Sequence, residues 1–68
     1  MMIAQNSKGR LLEVSSYGKS MYGGWYADYR EINSGVISGV RFNTLKEVCE
    51  YLNCSKTELI SQVMRFDN

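Results

Sequence analysis

The stretch WYADYREINSGVISGVRF, residues 25–42, decides how this chain folds. In its first half Trp25, Ala27 and Tyr29 alternate with Tyr26, Asp28, Arg30 and Ile32. A two-residue period of this kind sends the two sets to opposite faces of a strand. Asn33-Ser34-Gly35 follows as a compact turn, with glycine available for a positive φ. Beyond it Val36, Ser38, Val40 and Phe42 alternate with Ile37, Gly39 and Arg41, and Gly39 marks a bulge or a close approach. Two β-rich runs about a short glycine turn make a hairpin.

Toward the amino end, residues 10–17, RLLEVSSY, place Leu12 and Val14 on one side and Leu11, Glu13 and Tyr17 on the other, and the strand ends in the turn Ser16-Tyr17-Gly18-Lys19-Ser20. Toward the carboxyl end the period changes. Thr44-Leu45-Lys46-Glu47 and Ser55-Lys56-Thr57-Glu58 both match the capping box, in which a hydroxyl accepts a backbone N–H three residues on and the glutamate reaches back. Leu45, Val48, Cys49 and Leu52, then Leu59, Ile60, Val63 and Met64, form apolar stripes at helical spacing.

The expected fold is α+β: a single domain over 1–68, with a three-stranded antiparallel sheet followed by two short helices packed on one face. The expected strands span about 10–17, 22–32 and 36–42, and the helices about 45–52 and 56–66. Trp25 and Tyr29 are expected on the covered face with Val40, Leu45, Val48, Leu59 and Val63.

Composition narrows the function classes. A chain of 68 residues buries a small core and leaves little room for a deep catalytic cleft. The formal net charge is +1, short of the basic excess of a dedicated duplex binder. The positive balance lies in the first part, where Lys8, Arg10, Lys19, Arg30 and Arg41 outnumber Glu13, Asp28 and Glu31. Residues 1–10 have no apolar run of signal-peptide length, and no segment has the ~20 apolar residues of a membrane span. A soluble, cytoplasmic protein without a membrane partner is expected.

Chemistry-bearing motifs are sparse. Gly18-Lys19-Ser20 copies the end of a phosphate-binding loop, but Glu13 stands where that motif needs glycine and a strand follows. With no histidine and two cysteines on apolar positions, Cys49 and Cys54, there is no plausible metal set and no base to activate a thiol. Glu47 and Glu58 are capping partners, and Glu50 lies on a polar helix face. The expectation is a non-enzyme with no cofactor and no metal.

Two segments carry resemblances. TLKEVCEYLNCSKTELISQVM, residues 44–64, resembles in its first half the opening of a helix-turn-helix, with Cys49 packed inside and the turn at Asn53, and in its second half the second helix of ribbon-helix-helix repressors. It departs from the first at Asn53, where glycine is usual, and at Gln62, where an apolar residue is usual. Residues 18–52, through GWYADYR and RFNTLKE, are similar to the sheet-plus-helix arm-binding domains of phage integrases and to plant AP2 domains. Those resemblances imply a sheet whose outer face enters the DNA major groove, here through Tyr26, Arg30 and Arg41.

The candidate binding residues are therefore Lys19, Tyr26, Arg30 and Arg41. They imply a small DNA-binding or regulatory protein of the kind carried by phages and mobile elements, acting on double-stranded DNA through the outer sheet face. Tyrosine and arginine are equally favoured anchors in protein interfaces. The alternative is thus a protein-binding module, such as a phage-type inhibitor or accessory factor docking on a host enzyme or nucleoprotein complex, with a homodimer also open.

Overall fold

A computed structural model describes residues 1–68. Strands β1 (Met2–Gln5), β2 (Leu11–Lys19), β3 (Trp25–Glu31) and β4 (Ile37–Phe42) form an antiparallel meander. Helices α1 (Leu45–Leu52) and α2 (Lys56–Gln62) follow, and a two-residue strand β5 (Met64–Arg65) pairs parallel with β2. The α+β class and the helix pair are as expected, but the sheet has four to five strands rather than three.

The additional first strand comes from a hairpin built on Asn6. Its side-chain oxygen accepts the N–H groups of Lys8 and Arg10, each at 3.0 Å, and its carbonyl accepts from Gly9. This local bonding closes the turn and leaves the buried Asn6 side chain satisfied. Met2 and Ala4 then fall on the core face beside Val14 and Leu12.

The second difference is a β-bulge. Val14 lies opposite Tyr29 and Ser16 opposite Asp28, so Ser15 has no partner on β3. One unpaired residue inverts the alternation. Tyr17, expected on the outer side with Glu13, therefore turns inward and is buried at 3% exposure.

Both helix starts are where the capping pattern puts them. Thr44 and Ser55 accept the N–H groups of Glu47 and Glu58, and α2 has the full reciprocal box. Helix α1 stops at Asn53, whose left-handed backbone (φ 51°) lets its N–H return to the Cys49 and Glu50 carbonyls. Helix α2 stops at Gln62, not at residue 66, because Val63 turns extended and residues 64–65 take up hydrogen bonding with β2. Of the expected apolar stripe, Met64, no longer helical, is exposed, and so is Ile60, which α2 turns away from the core.

The core lies between the sheet and the helices. Leu12, Val14, Val48, Leu52 and Leu59 are fully buried, each contributing about 1.5–3 kcal/mol by removal from water. Trp25, Tyr29, Val40, Phe42 and Leu45 pack around them, as the strand alternation requires. No helix is long and apolar enough to cross a membrane.

Ser55→Ala should lower stability by about 1 kcal/mol in thermal unfolding, by orphaning the Glu58 N–H. In Gly18→Ala, the new Cβ would lie 2.1 Å from the Phe66 carbonyl oxygen. Amide exchange should show the Phe66 and Asn68 N–H groups, bonded to the Tyr17 and Lys19 carbonyls, losing protection while Leu12 and Val14 keep theirs.

Candidate interaction surface

Both helices lie on one face of the sheet, leaving the other open. Cross-strand pairs share a face, so the register fixes what stands there. One row runs Ile3, Glu13, Arg30, Ile37 across all four strands of the meander. In its centre the Arg30 guanidinium donates to the Glu13 carboxylate at 3.2 Å, with 42% and 28% of the two side chains exposed. A half-exposed pair of this kind contributes only about 0–1 kcal/mol. Ile3 and Ile37 at its ends are exposed by 54% and 81%. Leu11 follows on the same face, with Ile32 donating its N–H to the Leu11 carbonyl. The result is an ion pair flanked by the exposed aliphatic side chains of Ile3, Ile37 and Leu11.

The next row is Ser16, Asp28, Gly39. The Asp28 carboxylate accepts a long hydrogen bond from Ser16 Oγ (3.4 Å) and lies over Gly39, where a Cβ would come within 2.8 Å of it. The last row is Gly18, Tyr26, Arg41. Arg41 donates to the Gly23 carbonyl at 3.0 Å and is exposed.

Tyr26 behaves differently from the other candidates. It projects from the outer face, yet it is only 8% exposed, because its hydroxyl reaches over Gly18 to donate to the Phe66 carbonyl. Burial, with a smaller effect of the nearby Asp28 charge, pushes its hydroxyl pKa up. Tyr26 therefore fastens residues 66–68 to the sheet. Asp67 completes that attachment by accepting from the Arg65 guanidinium and the Lys19 N–H, which, Arg65 foremost, hold its carboxyl below its ordinary range.

Lys19 is on the other face. It lies opposite Trp25, with its ammonium 5.5 Å from the indole centroid and the Arg65 guanidinium 5.1 Å from the same ring. The four candidate residues thus divide: Arg30 between the exposed aliphatic side chains, Tyr26 and Arg41 together at the far end of the same face, and Lys19 behind the sheet. Ile3 and Leu11 are surface residues that sequence reasoning missed as candidates. Ile3 belongs to a strand that the alternation does not predict, and Leu11 stands on the face opposite Leu12 and Val14.

The largest concavity, ≈ 320 Å³, lies between β1 and the helix connection and is lined in part by Met2, Ala4, Leu52, Asn53, Cys54 and Glu58. Its ionisable groups are occupied or silent. Glu58 accepts the Ser55 N–H. Burial, followed by the neighbouring Cys49, pushes the Cys54 thiol up to about 12. No group of three His, Cys, Asp or Glu side chains is placed to hold a metal ion.

Compared with protein-family models, with curated proteins and with solved structures, the chain matches none.

The raised thiol pKa has a defined pH consequence. A group that holds its proton more tightly when folded stabilises fully below its unfolded pKa, and that contribution is lost as pH rises toward the folded value. Stability should fall from about pH 9 toward about 12 as the unfolded thiols ionise preferentially. At pH 8 iodoacetamide should alkylate Cys54 far more slowly in the native protein than in denaturant. Equal rates would show an accessible thiolate.

Proposed function

We propose that this chain is a small protein-binding regulatory module that docks through the outer face of its sheet, in the manner of an inhibitor or accessory factor. The observation that carries this reading is the Glu13–Arg30 pair flanked by the exposed side chains of Ile3, Ile37 and Leu11. The solvent face of an antiparallel sheet normally alternates to polar residues. Here aliphatic side chains remain exposed around charges that already satisfy one another. An apolar patch with an arginine at its centre is the pattern of a protein interface, where aliphatic area supplies affinity and the charges fix register.

Duplex binding through the same face is the weaker reading, for an electrostatic reason. Phosphate contacts require uncompensated cations, and affinity scales with the number neutralised. On this face Glu13 and Asp28 offset Arg30 and Arg41, leaving no net charge. Tyr26, which would stack on or bond to a base edge, is instead held by Phe66.

The test compares the wild-type protein with an Ile3→Asp/Arg30→Ala variant. Neither side chain is in the core cluster, so the variant should fold. Captured from a lysate of the cells that make the protein, the wild type should retain a partner after nuclease treatment and at raised salt. The folded variant should lose it by at least about tenfold in affinity, as expected for the centre of an interface. Loss of the partner on nuclease treatment, or steep salt dependence of binding to random-sequence duplex, would favour DNA instead.

A further inference from the structure

The two lateral edges of the sheet are treated differently. On β1, Asn53 Nδ2 donates to the Gln5 carbonyl at 2.7 Å and the Met1 nitrogen donates to the Gln62 carbonyl, so the helices engage that edge. Strand β4 has β3 as its sole strand neighbour. Of the devices that usually protect an edge it has no proline, no lysine and no bulge in its register with β3; its one charge is Arg41.

Which backbone groups face outward follows from the ladder. The Glu31 N–H bonds to the Val36 carbonyl, which sets the phase of the ladder, while the turn takes the other two groups, Gly35 N–H bonding to the Glu31 carbonyl and Val36 N–H to Ser34 Oγ. Antiparallel ladders alternate bonded and non-bonded pairs. Ser38, Val40 and Phe42 therefore bond to β3, and the N–H and C=O groups of Ile37, Gly39 and Arg41 point to the open edge.

That set is self-complementary. If two copies of β4 run antiparallel about a two-fold axis at Gly39, Ile37 faces the partner's Arg41, Gly39 faces Gly39, and Arg41 faces Ile37. All three outward residues of each strand are then satisfied. Other registers strand at least one of them.

The charges are compatible with the same register: Arg30 would share a row with the partner's Arg41, but Glu13 already neutralises it. Neither Asp28 nor Arg41 has an ion-pair partner within the chain. Asp28 leans over Gly39 toward the edge, and no side chain at Gly39 of either copy stands in the way. The Asp28 Cα and the partner's Arg41 Cα would be separated by two strands and two residues, on the order of 12 Å, within the combined reach of an aspartate and an arginine once Arg41 exchanges its bond to the Gly23 carbonyl for the carboxylate. The axis makes this ion pair twice. Ile37, 81% exposed, would be covered beside it.

We propose that the chain forms a homodimer through β4, joining two four-stranded meanders into one continuous sheet, with Asp28 of each copy paired to Arg41 of the other. This goes beyond the docking surface described above, because it uses the edge of the sheet and needs no other partner.

Sedimentation of the purified protein over a concentration range tests it. The mass should rise from 7.8 kDa to twice that value, and the Ile37, Gly39 and Arg41 amides should gain exchange protection in step. Arg41→Asp should weaken dimerisation by at least about tenfold through like-charge repulsion, and the exchanged pair Asp28→Lys/Arg41→Asp should restore it. Ile3→Asp should dimerise as the wild type does, which separates failure of the outer-face reading from failure of this one. A protein that stays at the monomer mass at the highest concentration reached would overturn the proposal. A dimer in which those three amides exchange as in the monomer would do the same, as would a charge exchange that fails to restore association. Should Arg41→Asp not fold, the wild-type amide exchange decides alone.

Discussion

Between Val14 and Ser16 the second strand inserts one residue, Ser15, with no partner on β3. Without that insertion, strict alternation would place Leu12 and Val14 inside but Tyr17 outside, and the far end of the strand would bring no large side chain to the core. With it, Leu12, Val14 and Tyr17 all point to the helices. The same inversion puts Gly18 on the outer face, and a glycine there leaves space for the Phe66 carbonyl. Both the core and the attachment of the last residues thus depend on one extra residue in β2.

That attachment accounts for the uneven outer surface. The edge of β2 away from β3 is shared end to end by β1, alongside Leu11–Val14, and β5, alongside Ser16–Tyr17. Residues beyond β5 then cross toward Gly18 and draw the Tyr26 hydroxyl to them. An aromatic that would be a surface anchor on an isolated hairpin becomes a structural strut. The aliphatic end of the face, around Arg30, has no such covering and keeps its side chains accessible. Lys19 is turned to the back by the same parity that buries Tyr17, which is why a basic cluster drawn from the linear sequence divides in space.

The hairpin of residues 25–42 and both helix starts were legible because their signals are local. Strict alternation marks the strands, Gly35 at φ 74° completes the turn, and a hydroxyl three residues before a glutamate marks each cap. Strand β1 was not legible: four residues give two inward positions, one of them alanine, too little alternation to stand out. The bulge has no composition of its own, since Ser15 and Ser16 would suit either face. Helix α2 was read too long because Val63 and Met64 continue its apolar period, while a long-range pairing with β2 ends it. Of the candidate site, Arg30 and Arg41 were correctly placed on one face by the two-residue period. The burial of Tyr26 could not be read, because Phe66 is forty residues away along the chain.

The distribution of packing along β4 links its edge to its stability. Val40 and Phe42 rest on the core, and Phe42 also meets the Tyr51 ring with centroids 5.9 Å apart. Val36 and Ile37, at the other end, are exposed and lie outside that cluster. Segments with few buried contacts and solvent-exposed backbone bonds open at the lowest free energy, so the 31–37 end of the hairpin is the part of the sheet held most by backbone pairing alone. A second strand along Ile37–Arg41 would add hydrogen bonds where side-chain packing is thinnest. By mass action it would also make the stability of that end depend on protein concentration. The exposed isoleucine, the open backbone and the weak local packing at this edge are therefore aspects of one condition: β4 is anchored to the core at its carboxyl end and left unfinished at its amino end.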